Sequence, residues 1–291
     1  MTGTATHCPY CALQCGMTLT PRDASVVVAP REDVPANRGG LCQKGWTSAE
    51  VLTVPDRLTT PLMRSSRDAP LEPCTWGEAI ERVGGEIVRL QAAHGPDAVA
   101  VFGGGGLTNE KAYQLGKFAR IALGTSQIDY NGRFCMSSAA AASLRAFGMD
   151  RGLPGPVTDL GRSDAVLLVG GNPAETMPPF LRHLSDLRER GGALIVVDPR
   201  RTATARSADL HLRPLPGTDL ALANGLLHVA IAEGLVDEAF VASRTAGFEA
   251  VRTVVNAYWP GRVERITGVP VPQLREAVRL LAGGERAHVL T

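Results

Sequence analysis

The sequence predicts an α/β protein in which a small, cysteine-rich N-terminal cap precedes doubly wound, mainly parallel α/β domains. Three observations predict it. Four of the six cysteines crowd into the first 42 residues, at the spacing C-x2-C-x3-C-x26-C. From Thr75 onward, short apolar runs alternate with helix-length amphipathic stretches, the pattern of strand–helix–strand units in a parallel sheet. Several of those runs end on loops rich in glycine and turn residues, and ligands bind such sheets beyond the carboxyl ends of the strands.

The cap comes first. Tight local turns can place Cys8, Cys11 and Cys15 at three corners of one small site, and a long loop brings Cys42 to the fourth. Thiolates at this density are metal ligands before they are anything else. Four of them suit a tetrahedral zinc or a [4Fe-4S] cubane. Zinc sites more often pair two knuckles and only the first half here looks like one, so the three-then-one spacing favours the cluster. A disulfide framework fits a long chain with few cysteines poorly. Between Cys15 and Cys42, residues 26–29 (Val-Val-Val-Ala) read as a short strand and residues 37–40 as a turn. A short helix is expected over 46–52, then extended chain over 55–62 with prolines near both ends. Residues 1–58 thus form an iron–sulfur cap too small to bury a core without its metal site.

Two α/β segments follow, 59–137 and 138–291. Thr75-Trp76-Gly77-Glu78 has the form of a capping box, predicting a helix to about His94. Residues 97–102 read as a buried strand running into Gly103–Gly106. A helix over 108–123, a short strand near 126–129 and an irregular loop over 130–136 lead to a helix of small residues, 137–147. The second series has strands over 164–169, 193–197 and 208–212, with a helix over 177–190 stopped by Gly191-Gly192. Helices are expected at 219–233, 237–243, 248–258 and 271–281. Residues 288–291 read as a strand just begun, which predicts a longer parent chain. Glycines in the loops at 103–106, 170–173 and 217 let the backbone approach phosphates, and Asp198 can accept hydrogen bonds from a ribose or base edge. None matches G-x-G-x-x-G, so an ordinary NAD site is not indicated.

Composition excludes other classes. Charge nearly cancels, at +1 over 291 residues, leaving no basic surface for nucleic acid. No apolar run is long enough to span a bilayer. The first cysteine follows only seven residues, which leaves no room for a signal peptide; with reduced cysteines, the expected location is cytoplasmic.

Taken in order, the motifs Cys8-Pro9-Tyr10-Cys11-x3-Cys15-Gly16, Cys42-Gln43-Lys44-Gly45, Thr108-Asn109-Glu110, Asn131-Gly132-Arg133-Phe134-Cys135, Gly170-Gly171-Asn172-Pro173-Ala174-Glu175, Val197-Asp198-Pro199-Arg200-Arg201-Thr202 and Pro216-Gly217-Thr218-Asp219 resemble those of the molybdenum enzymes that carry a bis(molybdopterin guanine dinucleotide) cofactor. Each is weak alone; together they are specific, and they cover essentially the whole chain. Within that family, Cys135-Met136-Ser137-Ser138-Ala139 looks most similar to the cytoplasmic assimilatory nitrate reductases. The resemblance implies a [4Fe-4S] cluster on Cys8, Cys11, Cys15 and Cys42, and Cys135 as the thiolate ligand of molybdenum. It implies Lys44 on the electron path between cluster and pterin, with Met136 beside the metal. Asn109, Asn131, Gly170, Gly171, Asn172, Ala174, Glu175, Asp198, Pro199, Arg200, Gly217, Thr218 and Asp219 would hold the pterin dinucleotides. An electron-donor protein (a ferredoxin or an NAD(P)H-dependent flavoprotein), a small anionic substrate, and no nucleic-acid or membrane partner are implied. Formate dehydrogenases on this scaffold place a histidine after the metal-binding residue, where this chain has Met136. The rival of another class is a non-catalytic iron–sulfur electron-transfer subunit.

Plainer readings compete at each position. Lys44 as a solvated lysine, Cys135 as a small buried hydrophobe, and Asp198 and Asp219 as helix caps would all be ordinary. Cys74 has no companion and reads as structural, and His7 as a neighbour rather than a ligand.

Overall fold

The computed structural model describes residues 2–149, 152 and 155–291. The chain sorts into two compact units, one of residues 1–48 with 155–291 and one of residues 49–154. The cap thus shares a unit with the distant second α/β segment.

The cap is a three-stranded antiparallel meander, β1 (Thr4–His7), β2 (Gly16–Arg22) and β3 (Ser25–Pro30). Only part of β3 was legible in the sequence, since β1 and β2 are too polar to stand out. A four-residue helix, Gln43–Trp46, and a separate turn, Glu50–Leu52, replace the single helix expected over 46–52.

In the first unit the α/β part holds four parallel strands: β8 (Ala165–Val169), β9 (Ala193–Val197), β10 (Leu210–Leu212) and β11 (Ala287–Leu290). Their order is β10-β9-β8-β11. The chain winds outward from β8 through β9 to β10, then returns to β8's other side. That reversal is the topological switch of a doubly wound sheet. Alternate residues divide the core. Val166, Leu168, Leu194 and Val196 pack with Leu184 and Leu187 of the helix Leu181–Glu189, and with Cys8, Leu13, Cys15 and Met17 of the cap. Leu167, Ile195 and Val197 pack on the opposite face with Leu222, Val263 and Leu274, from the helices Asp219–Ala232, Pro260–Thr267 and Val271–Ala282. Burying one such leucine contributes roughly 1.5–3 kcal/mol. The cap therefore completes one face of the sheet. The helix expected over 177–190 is broken by Pro178-Pro179 and starts at Leu181, and the helix Pro260–Thr267, opened by a proline, was not foreseen.

The second unit begins with a short hairpin, β4 (Leu62–Met63) and β5 (Glu72–Pro73). The helix Trp76–His94 starts at the expected capping box: Glu78 N–H donates to Thr75 Oγ1 at 3.2 Å and Thr75 N–H donates to Glu78 Oε2 at 2.7 Å. The strand expected at 97–102 is shifted and shortened to β6 (Val101–Gly103), because Pro96–Ala98 form a helical turn. It is not buried: Phe102 is 64% exposed. β6 pairs in parallel with β7 (Ile128–Tyr130). The helix Asn109–Lys117 between them runs on as a wider turn, Phe118–Ala122. The supposedly irregular segment 130–136 holds a helical turn, Gly132–Cys135, before the helix Ser137–Phe147.

Candidate functional site

Three of the thiols ride on the loop between β1 and β2. Cys8 N–H donates to Cys15 O at 2.9 Å and Gln14 N–H donates to Cys11 O at 3.1 Å, so the loop closes on itself. Gln14 makes the turn in the left-handed region, at φ 48°. Cys42 arrives separately, as the residue that opens the helix Gln43–Trp46. The loop carrying it stands on Asn37, which is fully buried. Asn37 Oδ1 accepts from Gly16 N–H at 2.8 Å, and its amide donates to Gly16 O at 3.1 Å and Gly40 O at 2.8 Å. One side chain thereby ties the residue after Cys15 to the segment before Cys42. A single asparagine beside two glycines gives no sequence signal beyond a turn, and the sequence reading missed this role.

Cys8 and Cys15 are buried; Cys11 and Cys42 are half-buried. Burial, then the neighbouring charges of Cys11, Cys8 and Cys42, push the Cys15 thiol up to about 11. Cys11, Cys8 and Cys42 therefore stand near enough to Cys15 for their charges to reach it. Four thiolates held together need positive charge among them. Among the described residues no group of three or more His, Cys, Asp or Glu is arranged to hold a single metal ion. An all-thiol set without imidazole or carboxylate suits iron–sulfur ligation.

Lys44 is exposed, but not merely solvated. Its ammonium donates to Thr176 O at 3.3 Å. Thr176 ends the helical turn Pro173–Thr176, which directly follows the loop at the end of β8. That loop and its neighbours converge on the carboxyl edge of one sheet. Gly170 takes φ 69°, and at Gly171 a Cβ would stand 2.8 Å from Leu168 Cδ1. Asn172 Oδ1 accepts from the Thr204 hydroxyl at 2.8 Å, and Ala174 N–H donates to that hydroxyl at 3.1 Å. Thr204, fully buried, joins the loop after β8 to the one after β9; it too was missed. Glu175 is exposed on the same turn. After β9, Asp198 is 5% exposed and its Oδ1 accepts from Arg200 N–H at 2.7 Å, so it shapes its own turn without capping a helix. Pro199 and Arg200 beside it are exposed. After β10, Gly217 takes φ 83°, the Thr218 hydroxyl donates to Leu215 O at 2.6 Å, and Asp219 is exposed at the first position of its helix.

The second unit carries the remaining positions. Asn109 is exposed at the start of its helix, behind the Thr108 cap. Asn131 Oδ1 accepts from Gly105 N–H at 2.7 Å, tying the glycine loop after β6 to the turn after β7. A groove of about 420 Å³ lies at these strand ends, lined by Gly103–Gly105, Leu107, Leu115 and Tyr130 among others. Cys135 closes the turn Gly132–Cys135, its N–H donating to Asn131 O at 3.1 Å. It is exposed, which removes the reading of a buried small hydrophobe. Met136, 48% exposed, leads into the next helix from outside helical geometry.

The model of the molybdopterin oxidoreductase Fe4S4 domain matches residues 1–53, and that of the molybdopterin oxidoreductases matches residues 57–262. The chain is 40% identical over 277 residues to the assimilatory nitrate reductase catalytic subunit of Bacillus subtilis, covering 94% of this chain and 38% of that protein. It is 36% identical over 292 residues to formate dehydrogenase H of Escherichia coli, covering 98% of this chain and 40% of that one. The fold matches that of acetylene hydratase from Pelobacter acetylenicus with a TM-score of 0.85 at 23% identity, over 99% of this chain and 40% of the other. The chain thus spans about two fifths of the length of these relatives.

Proposed function

The chain belongs to the molybdopterin oxidoreductase family, and from that premise we propose that it serves, within a longer protein, the reduction of nitrate to nitrite. The family places an iron–sulfur cluster and molybdopterin with it; its relatives divide between nitrate reductases and formate dehydrogenases. When bound, these groups supply one-electron relay and two-electron oxygen-atom transfer. The balance is nitrate plus two electrons and two protons to nitrite and water.

The chain's own residues supply ligation, charge and shape. Cys8, Cys11, Cys15 and Cys42 would hold the cluster, and Cys135, an exposed thiol, would ligate molybdenum. Lys44, two positions beyond Cys42 and bonded to Thr176 O, places a cation that favours an electron passing toward the strand-end loop. The pterin's proposed form is the guanine dinucleotide. Supporting it are strand-end glycines after β8 and a buried carboxylate, Asp198, after β9, the positions where doubly wound sheets take phosphate and ribose.

The single observation that carries nitrate over formate is Met136. It stands directly after Cys135, 48% exposed, and has no titratable proton. Formate oxidation removes a carbon-bound hydrogen and calls for a proton acceptor beside the metal; a thioether offers only a soft, adaptable wall. The proposed donor is a ferredoxin or an NAD(P)H-dependent flavoprotein and the proposed setting the cytoplasm. Among the described residues no helix is long and apolar enough to cross a membrane. The test is the full-length, metal-loaded enzyme with a reduced dye: nitrite formation with little formate-dependent dye reduction is expected. Strong formate oxidation without nitrate reduction reverses the substrate, and iron without molybdenum favours a non-catalytic electron carrier.

A further inference from the structure

Residues 36–44 and 176–186 run beside each other in opposite senses, joined by polar contacts along their length. Lys44 Nζ donates to Thr176 O at 3.3 Å. Arg182 Nη1 donates to Arg38 O at 2.9 Å. The Arg38 guanidinium donates to both carboxylate oxygens of Asp186, at 2.6 and 3.1 Å. His183 Nε2 lies 3.0 Å from Ala36 O. The approach is close: a Cβ on Gly40 would stand 3.0 Å from Arg182 Nε.

Cys8, Cys11 and Cys15 are placed by their own loop, but Cys42 is reached only through the segment 31–41. That segment has two anchors, Asn37 toward the cap and the helix Leu181–Glu189 toward the sheet. Arg38 itself sits at φ 43°, a left-handed conformation unfavourable for a non-glycine residue, so its partners hold it there. A bidentate arginine–carboxylate pair fixes angle as well as distance. The helix that grips Arg38 continues from the turn that accepts the Lys44 bond. One run of chain therefore forms the β8 strand-end loop and anchors the segment leading to Cys42.

We propose that Arg38 and Asp186 are positioning residues for the iron–sulfur site, their pair setting where Cys42 and Lys44 stand against the turn Pro173–Thr176. The inference rests on the proposed ligand role of Cys42. Its test uses the full-length, metal-loaded protein and reads the electron paramagnetic resonance of the reduced cluster, together with the fraction reduced at one fixed dye potential. Asp186→Asn is expected to keep wild-type iron and sulfide, alter the line shape, and move the ratio of reduced to oxidised cluster about threefold or more. Asp186→Glu should restore both. Arg38→Met should reproduce the Asp186→Asn signature, and the double variant should add nothing further, as for two members of one interaction. Should Asp186→Asn fail to accumulate, Arg38→Lys keeps the charge without the fork and is expected to give an intermediate signature. A loaded Asp186→Asn or Arg38→Lys protein indistinguishable from wild type overturns the proposal. Wild-type protein without an iron–sulfur spectrum would instead overturn the ligand assignment beneath it.

Discussion

The Thr204 hydroxyl donates to Asn172 Oδ1 across 2.8 Å and 32 residues of chain. It also accepts from Ala174 N–H, so one buried oxygen sets the spacing of two strand-end loops. Thr204→Val keeps the shape and removes the oxygen, leaving both partners unsatisfied. The expected loss is about 1–3 kcal/mol in denaturant unfolding, with a lowered molybdenum content in the purified full-length enzyme. Unchanged stability and unchanged metal content would show that the loops need no such tie.

Replacing Cys8, Cys11, Cys15 or Cys42 singly with Ala is expected to abolish the visible absorption of the cluster and to loosen the cap. Cys8 and Cys15 lie in the core that joins the cap to the sheet, so their loss should lower the thermal midpoint most. Stoichiometric zinc with neither iron nor sulfide in the native protein would contradict the iron–sulfur assignment.

Lys44→Met removes a charge while keeping much of the side chain's length. Both cofactors should remain bound, and electron transfer between them should slow by roughly tenfold or more if about 1.4 kcal/mol of electrostatic stabilisation is lost. Rapid-mixing reduction of molybdenum under donor-limited conditions measures it; a wild-type rate excludes Lys44 from the path.

A pH effect follows from Cys15, whose thiol is pushed from 9.0 up to about 11, first by burial and then by the adjoining thiols. A raised value means that the folded cap keeps a proton the unfolded chain releases. Stability from this group is complete below pH 9 and is lost as pH climbs toward about 11. The denaturant midpoint of metal-free protein should fall across that window, and Cys15→Ala should flatten the fall. A wild-type midpoint constant over the same range would show that Cys15 keeps an ordinary thiol acidity in the folded cap.

Much of this was legible because the signals were local. The Thr75–Glu78 capping box needs only four adjacent residues, and both of its bonds formed. The runs at 165–169 and 193–197 are apolar throughout because both faces of their sheet are covered, so they read clearly. β1 and β2 did not, since Thr4, Thr6, Thr18 and Thr20 dilute the alternation of strands only partly buried. Among site residues, the cysteines announced themselves by spacing. Asn37, Thr204 and the Arg38–Asp186 pair did not, because each acts across a gap in sequence that no motif spans. The exposure of Cys135 likewise comes from a helical turn where the composition suggested only irregular chain.

The position of β11 has a consequence during synthesis. It covers one side of β8, yet Arg286 at its threshold lies 122 residues beyond its partner Asp164. At ribosomal speeds that interval lasts roughly 6–24 s, for most of which a wholly apolar strand has a neighbour on one side only. An unpaired strand of that kind recruits other chains. Nascent polypeptides arrested between β10 and β11 should accordingly bind chaperones longer and precipitate more readily than those that have emerged past Leu290, a difference that ribosome-profiled chaperone capture would resolve by arrest position.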